Sequence, residues 1–112
     1  MSRPWSPVLM STGWLAGQFC GADQLRISVG TSAVRYGVVV FDGSRLYQRQ
    51  DSAERWFVAL TKHLDRFAQS CAYLEMPLSH SVACLRSVIH ELVQRCSEPG
   101  PWALRVFGYA DA

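Results

Sequence analysis

Residues 25–49, LRISVGTSAVRYGVVVFDGSRLYQR, constrain the fold more than any other part of this chain. Leu25, Ile27 and Val29 alternate with Arg26 and Ser28, which is the period of a half-buried strand. Gly30-Thr31-Ser32 supplies a turn, and residues 34–41 (Val34, Tyr36, Val38, Val39, Val40, Phe41) form a β-prone run. Asp42-Gly43 is a strong hairpin signal. Residues 45–49 then read as the returning strand, so this stretch predicts three short antiparallel strands.

Two amphipathic helices follow. Asp51 and Glu54 have the spacing of a capping box, and Trp56, Phe57, Leu60, Leu64 and Phe67 recur on one helical face. Residues 71–76, stopped by Pro77, predict a short strand, because Gln69-Ser70 interrupts the helical pattern. Ser79 is the expected cap of the second helix, whose apolar positions are Val82, Leu85, Ile89, Leu92, Val93 and Cys96. Residues 102–109 predict a final strand.

The expected fold is therefore α/β or α+β. It is a mixed sheet of about five strands in the order βββαβαβ, with the two helices packed on it. A strand–helix–strand connection implies parallel neighbours. A length of 112 residues suits one domain, residues 1–112. Residues 1–22, with Pro4, Pro7 and Gly13, read as an irregular lead-in with room for a short extra strand at 14–20.

Several chemistries lack a signature. The longest apolar run is five residues, 56–60, so no segment reads as a membrane span, and the broken N-terminal pattern is not that of a signal peptide. A cytoplasmic protein is expected. Cys20, Cys71, Cys84 and Cys96 include no close pair, so the reading is four reduced thiols and no metal site. His63, His80 and His90 have no ligand at metal spacing. Without GxxxxGK[ST] or GxGxxG, Gly30-Thr31-Ser32 reads as a turn without a phosphate, and no cofactor is expected.

The predicted order resembles the core of the RNase H-like superfamily, of the Holliday-junction resolvase type. The matching text is Ile27-Ser28-Val29-Gly30-Thr31-Ser32 followed by Tyr36-Gly37-Val38-Val39-Val40. The resemblance implies a first-strand carboxylate at the position of Ser28 and a fourth-strand carboxylate at Glu75. Two-metal hydrolysis needs several carboxylates. With a serine at position 28, the resemblance implies the fold without the nuclease chemistry. Glu75 is the catalytic candidate if the chain is an enzyme.

The remaining candidates form a binding surface. Arg26, Arg35, Arg45, Arg49 and Arg105 fall in predicted strands, and Arg45, Tyr47 and Arg49 share one face. Such a face suits phosphate backbones and stacked bases, or an acidic protein surface. It also suits a plain solvated sheet. Trp5, Trp14 and Trp102 suit either an interface or the ends of a small core. The expected function is a non-catalytic binding module acting by protein–protein contact, as an adaptor, inhibitor or small subunit of a bacterial or phage complex. The alternative is a nucleic-acid-binding relative of the nucleases. Neither reading involves a membrane or fixes an oligomeric state.

Overall fold

The computed structural model describes residues 10–49, 51–52, 54–96 and 101–110. Trp5 lies outside them. Residues 10–22 are not irregular: β1 (Thr12–Leu15) and β2 (Gln18–Gly21) form an antiparallel hairpin, with Trp14 opposite Phe19. Gly17 takes φ 90°, and Ala16 before it takes φ 50°, which closes the turn.

Residues 25–29 are not a strand. All five are exposed and none pairs with a neighbouring chain segment. Their alternation carries no buried face. Residues 34–41 are not one strand either. Thr31 caps a short helix, α1 (Ser32–Tyr36), its Oγ1 accepting from the Val34 N–H at 3.4 Å. Gly37 ends the helix in the left-handed region at φ 70°, ψ 26°.

The chain then enters β3 (Val39–Gln48), which runs unbroken through Asp42-Gly43. The expected hairpin is absent. β4 (Arg55–Phe57) occupies residues expected in the first helix, which instead starts later as α2 (Leu60–Tyr73). α2 includes residues 71–73, so the strand expected at 71–76 is also absent. α3 (Val82–Arg95) is capped by Ser81 rather than Ser79, with the Cys84 N–H donating to Ser81 Oγ at 3.1 Å. β5 (Trp102–Tyr109) closes the chain as expected.

The architecture is a small mixed α/β unit with two sheets, one of two strands and one of three, the latter ordered β4-β3-β5. Every strand pair is antiparallel, so the expected parallel crossover and single five-stranded sheet are corrected. On β3, Val40, Asp42, Ser44 and Leu46 face inward. α2 and α3 cover that face. Val40, Leu60, Leu64, Phe67, Cys71, Leu85 and Ile89 form the core. Gly108 is needed there, because a Cβ would lie 3.2 Å from Phe67 Cζ and 3.3 Å from Cys71 Sγ. The opposite sheet face remains open. No helix among the described residues is long and apolar enough to cross a membrane.

Candidate functional site

Strand alternation builds the open face. Phe41, Gly43, Arg45 and Tyr47 project outward from β3, and Ala103, Arg105 and Phe107 do so from β5. The register sets Phe41 opposite Phe107 and Gly43 opposite Arg105. The two Phe rings lie 6.3 Å apart and are each 60% exposed, so they form an apolar wall that the described residues leave open. Tyr47 stacks on Trp56 at 6.0 Å, extending the aromatic surface.

β4 pairs with Leu46, Tyr47 and Gln48, and Val58 bonds to Arg45 and Ser44, which leaves that edge of β3 unpaired at residues 39–43. A cavity of about 520 Å³ opens around this edge. Its polar walls are Arg45 and Arg105 from the outer face and Asp42, His63 and Arg66 from the inner side. The absence of a side chain at Gly43 keeps the floor low. A Cβ there would lie 3.0 Å from the Leu104 carbonyl oxygen.

Asp42 is buried yet ionised. Arg66 Nε and Nη2 donate to its two oxygens at 2.7 and 2.8 Å, and the Gly43 N–H donates at 2.8 Å. His63 Nδ1 lies 3.0 Å from the same Oδ1. The Arg66 guanidinium, with help from the Gly43 and His63 bonds, holds this carboxyl well below the usual carboxylate range, against the opposing effect of burial. The cluster ties α2 to the centre of β3.

This leaves the cavity positive. Arg66 is matched by Asp42, but Arg45 and Arg105 form no ion pair among the described residues. Two unmatched guanidiniums beside an aromatic wall suit an anion carrying an apolar group, because the planar fork pairs bidentately with carboxylate.

Of the residues expected at a binding surface, Arg45, Tyr47 and Arg105 are brought together here. The others are scattered. Arg26 is exposed in the irregular segment. Arg35 lies over the Tyr36 ring and donates to its hydroxyl at 2.8 Å. Arg49 pairs with Glu54 at 3.4 Å. Trp14 packs edge-on against His80, and Trp102 is buried beneath the Arg55 guanidinium.

Glu75 does not line the cavity. It is exposed at the end of α2, where the Glu75 N–H donates to the Ala72 carbonyl and the Met76 N–H to the Cys71 carbonyl. This is a Schellman end, and Glu75 takes the left-handed conformation at φ 53° that glycine favours. Replacing Glu75 with glycine should therefore stabilise the fold by about 0.5–1 kcal/mol in urea unfolding.

Asp42, His63 and Arg66 were not legible as a group. They are separated by 21 and 24 residues. The one available signal is His63 and Arg66 at i and i+3 on α2, which puts both on one side of the helix.

No family model matches this chain. A protein of Aquifex aeolicus (strain VF5) described as "Probable branched-chain-amino-acid aminotransferase" is 22% identical over 86 residues, 77% of this chain and 28% of that protein. Solved structures agree. The branched-chain aminotransferase of Thermoproteus uzoniensis with norvaline gives a TM-score of 0.84 at 19% identity, covering 92% of this chain and 34% of that one. The T.th. branched-chain amino acid aminotransferase complexed with N-(5'-phosphopyridoxyl)-L-glutamate gives 0.83 at 26% identity, covering 95% and 35%. This chain thus spans about a third of the length of the relatives it matches.

These findings overturn the resemblance to RNase H-like resolvases. Of the residues that carried it, 27–32 form no strand and only 39–40 of 36–40 lie in one, and the matched folds are aminotransferases. They also correct the expectation of a non-catalytic adaptor or inhibitor, and its nucleic-acid-binding alternative. The proteins that share this fold are enzymes. The sequence pointed the wrong way because the alternation at residues 25–29 has the period of a strand that the fold does not form.

Proposed function

We propose that this chain forms the carboxylate-binding part of an aminotransferase acting on branched-chain amino acids. In this reading Arg45 and Arg105 hold the carboxylate. Phe41 and Phe107 receive the apolar side chain. The observation that carries it is the unmatched Arg45–Arg105 pair beside the exposed Phe wall, on a backbone with a TM-score of 0.83 to such an enzyme at 26% identity. Carboxylate and branched chain would be recognised together. The phenyl faces offer contact area, and the guanidiniums offer direction.

The T.th. relative is complexed with a phosphopyridoxyl group. Covalent attachment of a pyridoxal cofactor uses a lysine amine. The sequence has one lysine, Lys62, which is exposed on the first turn of α2 and does not line the cavity. The described residues therefore do not fit covalent anchoring of that group. What these residues supply is binding and orientation of the substrate.

Titration calorimetry with 4-methylvaleric acid, a carboxylate on a branched apolar chain, tests the reading. The acid should bind, and the alcohol of the same skeleton should not. Arg105→Ala should weaken acid binding about tenfold, the effect of losing one charge-assisted pair in a partly exposed site. Equal binding of acid and alcohol, or unchanged affinity in the variant, would remove the arginines from the site.

A further inference from the structure

The shorter of the two contacts at His63 Nδ1 assigns its tautomer. Asp42, held ionised by Arg66, can only accept. The Nδ1 of His63, 3.0 Å from Asp42 Oδ1, therefore carries a hydrogen and donates it. Arg66 Nη2, which can only donate, lies 3.3 Å from the same Nδ1, but the shorter contact to the ionised carboxylate favours the hydrogen on Nδ1. The ring atom left over is Nε2, which has no hydrogen-bond partner among the described residues. In the neutral ring it presents a lone pair; in the doubly protonated ring it presents an N–H. The His63 side chain is 30% exposed and lines the cavity that holds Arg45 and Arg105.

We propose that His63 is a ligand-contacting donor whose second proton tightens carboxylate binding in this cavity. The inference rests on reading the cavity as a carboxylate site. A neutral Nε2 turns a lone pair toward the anion, and a protonated one turns a donor toward it. Asp42 serves as the positioning residue, keeping Nδ1 occupied so that Nε2 is the atom that responds.

The charged neighbours do not supply this response. Those lining the cavity are Asp42 and Arg45 on β3, Arg105 on β5 and Arg66 on α2; Lys62 and Asp65 adjoin His63 along α2, and Arg55 on β4 lies over Trp102. Arginine, lysine and ionised carboxylates keep their charge between about pH 5 and 8, the range in which histidine exchanges its proton. His80 packs on Trp14 and His90 on Phe57, and neither lines the cavity.

The test is oxalate binding by calorimetry at about pH 5.5 and about pH 8, since oxalate stays fully ionised over that range. Wild-type protein should bind about five- to tenfold more tightly at the lower pH. His63→Gln, whose amide can still donate to Asp42, should bind with a ratio near one. Arg105→Ala should bind more weakly at both pH values while keeping the ratio. A flat wild-type response, or an undiminished ratio in His63→Gln, would overturn the role of His63 and leave the carboxylate site standing. Absence of oxalate binding at both pH values, in protein shown to be folded, would overturn the site itself and this inference with it.

Discussion

Replacing Phe67 with alanine is expected to cost about 3–5 kcal/mol of folding stability, the range for an aromatic removed from a close-packed core. Phe67 is only 2% exposed and is among the largest fully buried side chains. It sits on α2 one turn past Leu64 and one turn before Cys71, so all three press on the same sheet face. Its Cζ abuts the backbone at Gly108. Gly108 has no side chain to fill the space, and only Cys71 and Met76 border it there, so a cavity would remain. For a domain of this size the loss is a large share of total stability. Urea unfolding of wild type, Phe67→Leu and Phe67→Ala should show a graded loss, with leucine costing well under half as much as alanine. A cost below about 1 kcal/mol for alanine would mean that α2 does not pack on β3 and β5 as described.

Replacing Asp42 with alanine should cost about 2–3 kcal/mol near neutral pH, the scale for hydrogen bonds to a charged group. The Gly43 N–H, the His63 Nδ1 and the Arg66 fork would all lose their acceptor. Arg66 is 65% exposed and can return to water, which keeps the cost below that of a fully buried pair. The pH dependence has a definite sign. The carboxyl titrates lower in the folded state than in the unfolded chain, where it titrates near 3.9. Its contribution is therefore fully present above about pH 5 and is lost as pH falls through the unfolded value towards the folded one. The stability gap between wild type and Asp42→Ala, measured by urea unfolding at successive pH values, should be constant from neutrality to mild acid and narrow below about pH 4. A gap that stays constant to pH 3 would show that Asp42 is not held ionised by its partners.

The helices and the last strand could be read from the sequence because packing there follows simple periods. Leu60, Leu64 and Phe67 on α2, and Leu85 and Ile89 on α3, are buried as their spacing implied. Residues 25–29 misled for the opposite reason. Their alternation is real, but no strand pairs with them; Leu25 lies over Gly13 of β1, and all five stay exposed. Asp42-Gly43 misled because a charge within a central strand is unfavourable unless it is matched. The match comes from His63 and Arg66, which sequence proximity does not reveal. At residues 71–76 the helix simply continues to Tyr73 and ends in a Schellman turn at Glu75, a position where glycine is the usual signal and is absent. The site was half legible. Strand alternation put Arg45 and Tyr47 on one face, and Arg105 joined them through the β3–β5 register. The Phe41–Phe107 wall depends on that same register and has no local signature.

Amino transfer by the protein purified from its host, with bound partners retained, tests the central claim most directly. Leucine, a keto-acid acceptor and pyridoxal 5'-phosphate are supplied, and formation of the branched keto acid is followed. The account predicts that it forms, and that Arg105→Ala lowers kcat/KM about tenfold or more, chiefly through KM, because the guanidinium binds the carboxylate in ground and transition states alike. Failure to form the keto acid, or full retention of kcat/KM in Arg105→Ala, would contradict it.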